Sequence, residues 1–551
     1  MRLYKFVLST ILISTTLHGV SQSQSDITAA YNHYYITKQY DSSRYFFKIL
    51  VDQNPYNYDY RVKLALANFY TDHYDLAIQS FKKAMDIGPW TDIYAYYIAA
   101  SYAYMDSLDL AGSWLEKSVF EYNWPDYLRL ERSKYFTPLK EHPSYKKVFG
   151  HDQISEDRNE AWRNDLHFVY DKMKLLHFNL YRVNSAEVWD HSFNKIYSAI
   201  PELSDREVVI ELMKFAALAE EGHTKILPPE NGDNAFHSLP LELYWFNDGL
   251  FIISATDAYV ELIGSQITQI GSKKVEELYD LSYPYRGHDN KMHHKKISPR
   301  YLRMAEALKD MGANDNLESV ELGCRKNNKN KKTIIQFNTL EELDSKNWKG
   351  LEVKETDLPF YRDRDLDFWH SHIKELDAFY VTIKYILNND ETNFKNYIDS
   401  AFSDFDKGGA KKLIIDLRNA GGGNSSYNKY LISEIIRRPS IDSDESLFVL
   451  IGRETYSAAM NLASDLEYWT DATFIGEPTG SSPNFIGESN ALKLPNSQLY
   501  LIISNRYHQG GANNSLDNRP WIAPDILAEF SSEDYFKKKD PALEVISDNY
   551  Q

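Results

Sequence analysis

The chain has 551 residues, 43% of them hydrophobic and 25% charged, which is the balance of a globular protein and not of a disordered one. Its formal net charge of −18 argues against nucleic acid as a main partner, because phosphate binding needs a clustered Lys/Arg surface and none stands out. Cys324 is the lone cysteine, which excludes an intrachain disulfide and a four-cysteine zinc site.

At the N-terminus, MRLYKFVLSTILISTTLHGVSQS carries Arg2 and Lys5, an apolar stretch from Phe6 to Thr16, and Gly19-Val20-Ser21 as a small-x-small cleavage site. That order predicts a signal peptide over residues 1–21. Later runs fall short of the roughly 20 apolar residues that span a bilayer. An exported, periplasmic or extracellular protein with no integral membrane segment after cleavage is the expectation.

Residues 24–150 repeat with a period of 34, as QYDSSRYFFKIL, HYDLAIQSFKKA and SLDLAGSWLEKS. Tyr40, Tyr74 and Leu108 align, as do Phe47, Phe81 and Leu115, and Pro55 and Pro89 close two units. Small residues where helices cross and Pro at the turns resemble tetratricopeptide repeats. The aromatic positions Tyr96, Tyr97, Tyr102 and Tyr104 read mainly as core and inter-repeat packing. A partner protein on the concave face and a purely structural cap are the two roles such a module allows.

From 155 to 235 apolar residues recur at helical spacing, as in DREVVIELMKFAALAEEGHTKI. Residues 236–340 shift to short strands with Gly turns and read as a PDZ-like or other small β module. Within them, CRKNNKNKKT reads as an exposed hairpin. From 341 to 545, runs such as KKLIIDL and SLFVLIG alternate with helical stretches at 392–406, 425–438 and 457–469. Near-continuous apolar strands between helices predict an α/β core around a buried sheet.

In this core KKLIIDLRNAGGGN sets Gly421, Gly422 and Gly423 between a strand and a helix, where the backbone can turn sharply and offer N–H groups to an anion. The spacing and the missing Lys exclude a phosphate loop. Further on, SLFVLIGRETYSAAMNLASDL places Ser457 at the start of an Ala-rich helix. Ser457 is there either a helix cap or a nucleophile beside the positive helix end.

Taken in order, EEGHT, LIIDLRNAGGGN, LIGRETYSAAMNLASDL and FIGEPTG resemble the C-terminal processing and tricorn-like serine peptidase family over residues 155–535. The resemblance implies a multidomain protein with a helical N-terminal domain, often a PDZ-like domain, and a crotonase-like α/β catalytic core. It makes Ser457 the nucleophile. The processing branch pairs that serine with a lysine, but Ser482 in GEPTGSSPN stands at the matching place. The tricorn-like branch uses a histidine, and His223 matches its GHT motif. Many relatives carry Asp two residues before this histidine, where this chain has Glu221.

A neutral imidazole suits a serine hydroxyl as base. The third member would be a carboxylate that holds the ring in one tautomer, with Glu488 as first choice and Asp517 and Asp525 after it. The oxyanion donors would be the N–H of Ala458 and one from Gly421 or Gly422. No metal or organic cofactor is implied. His288, His293 and His294 in RGHDNKMHHKK lack the spacing of a helix-borne zinc pair, and Lys291, Lys295 and Lys296 repel a cation, so this segment reads as a solvated loop.

The expectation is an exported serine peptidase acting on proteins or peptides, whose rate falls as pH drops through about 6 to 7. The alternative is an inactive peptidase fold that serves as a scaffold while the repeats bind.

Overall fold

A computed structural model describes residues 25–354, 357–362, 366–388, 393–510 and 514–550. The expected signal peptide lies outside the described residues. The chain divides into two compact units, one running to Leu176 and taking in Asn490–Gln498, the other comprising His177–Ser489 and Leu499–Gln551.

In the first unit, helices α1 (Tyr40–Gln53), α2 (Tyr58–Tyr70), α3 (Tyr74–Met85), α4 (Thr91–Tyr104) and α5 (Leu108–Glu116) pack each on the next. Ala65, Ala77, Ala84, Ala99 and Ala111 are fully buried where the helices cross, because only small side chains let the axes come close. Tyr96 and Tyr97 are buried, as their core reading predicts. In α6 (Arg158–Leu176), Asp165 accepts the amides of Asn496 and Ser497 at 2.9 and 2.8 Å, which pins the returning segment.

The second unit begins with helices α7 (Ala186–Ala199) and α8 (Asp205–Ala217). A reciprocal Ser204/Glu207 capping box starts α8. Strand β1 (Lys225–Ile226) follows the GHT segment.

An antiparallel sheet is then built from β2 (Leu241–Phe246), β3 (Gly249–Thr256), β4 (Gln266–Ile270), β5 (Ser319–Lys326) and β6 (Lys329–Gln336). The basic hairpin is the β5–β6 turn. Asn327 and Asn328 both take positive φ there, the signature of a tight hairpin that asparagine tolerates.

The histidine segment departs from expectation. It is not a solvated loop but helix α9 (Lys291–Leu302), with His293 and His294 only 1% and 2% exposed. Asn290 caps the helix through the His293 amide at 2.9 Å and donates to the carbonyls of Thr479 and Pro520. Aromatic partners at Tyr279, Tyr283 and Tyr456 bury the rings, while Lys295 and Lys296 turn to glutamates. A charge-rich sequence hid an amphipathic helix.

The α/β region is built on a six-stranded sheet in the order β7 (Phe368–Ile373), β8 (Ala378–Ile383), β9 (Lys412–Asp416), β10 (Leu447–Ile451), β11 (Thr473–Gly476) and β15 (Ile526–Leu527). Only the β7–β8 pair is antiparallel. Helices α10 (Phe394–Gly408), α11 (Asn428–Ile436) and α12 (Ala458–Trp469) bury Phe402, Leu431, Ile435 and Leu462 on one face. Leu543 and Ile546 of α13 (Pro541–Asn549) cover the other. Both faces are therefore dry, which is why every residue of β10 is buried and the strands read as unbroken apolar runs. Strands β12 (Asn484–Gly487) and β14 (Arg506–Gln509) form a separate antiparallel pair, with β13 (Tyr500–Ile503) running between them in sequence and pairing with β1.

Candidate active site

Loops following β9, β10 and β11 leave the sheet at the carboxyl ends of parallel strands, the edge where open α/β sheets build their sites. The loop after β10 is held to the loop after β9 by two bonds, and a third braces it internally. Thr455 Oγ1 donates to the Leu417 carbonyl at 2.7 Å, the Gly452 amide donates to Thr455 Oγ1 at 3.1 Å, and the Tyr456 amide donates to the Ala420 carbonyl at 3.0 Å. Arg418, buried in the loop after β9, is clamped by Asp416 and by both oxygens of Asp540 at 2.8 Å.

This framework brings Gly422 against Ser457. A Cβ on Gly422 would stand 2.7 Å from Ser457 Cβ and 3.1 Å from the Ala458 nitrogen, and Gly422 has φ +120°. Only glycine fits, for reasons of space and of backbone conformation. Gly421 packs differently, because its amide donates to the Lys384 carbonyl at 2.9 Å. Among the described residues the Ala458 amide has no acceptor.

Ser457 does not cap α12 with its side chain, and its backbone lies at φ +56°, ψ −126°. A non-glycine residue there costs on the order of 1–3 kcal/mol. The helix-cap reading therefore loses its physical basis: the side chain contributes no cap bond and the backbone is strained.

His223 is 7% exposed. Its ring is stacked between Tyr456, at 4.7 Å, and Phe485, at 5.8 Å. Nδ1 lies 3.0 Å from the Tyr456 hydroxyl, and Nε2 is buried without a partner. Burial holds the imidazole down at about 4, with Lys225 and Arg286 adding to the effect and Glu221 opposing it. No hydrogen bond joins His223 to Ser457 among the described residues.

Glu221 supports this segment from below. Its carboxylate accepts the amides of His223 and Thr224 at 2.6 and 2.7 Å, and lies 3.6 Å from His177 Nε2 and 3.9 Å from His223 Nδ1. Burial works to raise its pKa, but His177, His223 and Thr224 outweigh it and hold the group at about 2. Asp289 is partly buried. It accepts from the Gly222 amide at 2.9 Å and from Ser481 Oγ at 2.6 Å, and burial pushes it up to about 6. It also lies against the Tyr456 hydroxyl.

None of the three expected acids bonds His223. Glu488 faces Arg506 at 3.2 Å and His508 at 3.5 Å, and the His508 ring stacks on Phe485 at 4.9 Å. The His508 bond lowers the Glu488 pKa and His223 contributes to the same shift. Asp517 is paired with Arg519, and Asp525 Oδ2 accepts the Phe474 amide at 2.8 Å. Beside Glu221 and Asp289 a cavity of about 640 Å³ opens, lined also by Phe485, Tyr507, Asp517 and Trp521, wide enough for a peptide.

Tyr456, Asp289, His508 and Phe485 were not singled out from the sequence. Tyr456 precedes the serine and could have been noticed; the others lie far from it in the chain and carry no local signature.

Residues 377–527 match the model of Peptidase family S41. No curated protein matches the sequence. Among solved structures, mature CPAF complexed with lactacystin is similar with a TM-score of 0.50 and 11% identity, over 70% of this chain and 97% of that one. A CPAF mutant gives a TM-score of 0.51 at 10% identity, over 70% and 96%. The photosystem II D1 C-terminal processing protease gives 0.36 at 12%, over 71% and 97%. The CPAF likeness concerns the fold. Residues 377–527 thus carry the match to Peptidase family S41, and with it the chain reads as a serine-type peptidase.

Proposed function

We propose that the protein is an exported endopeptidase in which Ser457 attacks the peptide carbonyl and His223 is the general base. The observation that carries this reading is the strained Ser457 at the mouth of α12, facing the Gly422 backbone and the unpaired Ala458 amide.

In this mechanism His223 donates Nδ1–H to the Tyr456 hydroxyl, whose own proton points toward Asp289. That tautomer leaves the lone pair on Nε2, the nitrogen without a partner, to take the Ser457 proton and return it to the leaving amine. The tetrahedral oxyanion is met by the Ala458 N–H, at the positive end of α12, and by the Gly422 backbone. Gly422 is preferred to Gly421, whose amide is engaged by Lys384. Glu221 stabilises the imidazolium at close range. Glu488 acts on it through space across the Phe485 ring.

Purified protein lacking residues 1–21, presented with casein and a peptide library, tests the reading. Cleavage by the wild type, with Ser457→Ala and His223→Ala both silent, is the expected result. Cleavage unaffected by either substitution would refute it.

A further inference from the structure

Glu221 is only 2% exposed, and a carboxylate in such a place stays ionised only where hydrogen bonds and charges hold it so. Two of its supports are amides of its own loop, those of His223 and Thr224. The third comes from another part of the chain. His177, ahead of α7, sets Nε2 3.6 Å from Glu221 Oε1, and both side chains are buried.

The tautomer of His177 follows from its other nitrogen. Nδ1 accepts the Asn179 amide at 3.1 Å and so carries no proton, which puts the ring hydrogen on Nε2. That Nε2 is buried without a formed hydrogen bond, and Glu221 is the carboxylate it faces. At 3.6 Å the contact is longer than a formed bond, as catalytic contacts often are before substrate binds. The backbone fixes the approach: the Phe178 amide donates to the Ser504 carbonyl at 3.0 Å, and the Ser504 amide donates to Thr224 Oγ1 at 3.1 Å. His177 and the Glu221 loop are thus tied to one residue.

The other charged groups around this loop are placed differently. Arg286 donates Nε and Nη2 to the Gly222 carbonyl at 3.2 and 2.7 Å, Asp289 accepts the Gly222 amide, and Lys225 acts on Glu221 by charge. The Tyr456 hydroxyl faces His223. Burial works to raise the Glu221 pKa, and His177 leads the groups that bring it down to about 2.

We propose that His177 is a positioning residue for the catalytic base: its Nε2–H holds the Glu221 carboxylate in place beside His223, so that the charge stabilising the imidazolium depends on His177. The inference rests on the reading of His223 as general base.

The test is steady-state kinetics between pH 4 and 9 on a small peptide, with the full mature chain and circular dichroism as the check of folding. His177→Phe keeps an aromatic ring and removes the donor; His177→Leu removes it with a smaller side chain should the first fail to fold; His177→Gln keeps a donor. Without the donor, kcat should fall about tenfold or more with KM within about twofold, and the acid limb of kcat/KM should move up by about one pH unit or more. The sign follows from Glu221, whose carboxyl then takes up a proton at higher pH and no longer stabilises the imidazolium. His177→Gln should recover most of the rate and the original limb. In a Glu221→Gln background, His177→Phe should change neither further. A limb that stays in place in His177→Phe and His177→Leu, or a Gln variant as impaired as they are, would overturn the proposal and leave His223 as base. Activity that survives His223→Ala, assayed beside them, would overturn both.

Discussion

The Tyr456 hydroxyl lies 3.0 Å from Nδ1 of His223, in the position where a serine-peptidase triad ordinarily places a carboxylate. A phenol orients the ring and fixes its tautomer without supplying a full negative charge. Tyr456→Phe keeps the ring contacts with His223 and His293 and removes the hydroxyl that stands between Nδ1 and Asp289. It should lower kcat by about 10- to 100-fold with little change in KM, consistent with loss of an orienting partner. An unchanged kcat would remove Tyr456 from the mechanism.

His223 is active as base only when neutral. Because burial holds its pKa at about 4, the acid limb of kcat/KM in the free enzyme should lie near pH 4 and not at 6 to 7, where an ordinary histidine would put it. A pH–rate profile on a small peptide checks this.

The same burial makes the fold acid-sensitive. His223, His293 and His294 all have lowered pKa values, chiefly through burial, so the unfolded chain binds more protons than the folded one below the ordinary histidine value. Stability is fully present above about pH 6.5 and declines as pH falls toward 4. The melting temperature, followed by calorimetry between pH 8 and 4, should be flat at first and then fall. His293→Gln, with no charge to gain, should reduce the slope.

Gly422→Ala introduces a methyl group where only 2.7 Å separates it from Ser457 Cβ, at φ +120°. Activity should fall by about 100-fold or more, in line with loss of an oxyanion donor, while Gly409→Ala, which has open space but a φ of +67° and so introduces backbone strain far from Ser457, should leave catalysis intact. Steady-state assays of the two variants make the comparison.

Arg418 is buried between Asp416 and Asp540, and Arg418→Met would leave two enclosed carboxylates unpaired. The loss should be about 3–5 kcal/mol, measured as a shift of the urea midpoint.

Much of this was legible in the sequence for physical reasons. Apolar strands such as LFVLI announced a sheet covered on both faces, and the serine six residues after that strand, ahead of an Ala-rich stretch, announced a turn into a helix. The GHT segment was visible because glycine there faces His293 and the Tyr456 hydroxyl, where a Cβ would collide. The acid partner was only half legible: Glu221, two residues before His223, stood out only as a departure from the family's Asp, and Asp289 reaches the site through loop contacts. The lysines around His293 and His294 suggested solvent, yet the helix turns its histidines inward and its lysines toward glutamates.

If Ser457 is an activated nucleophile, a mechanism-based serine label should find it. The mature protein is treated with a fluorophosphonate probe and the modified peptide is mapped by mass spectrometry. A single adduct on Ser457 is expected, formed at least tenfold more slowly in His223→Ala, as when a general base is lost. No adduct on Ser457, or labelling at the same rate without His223, would contradict it.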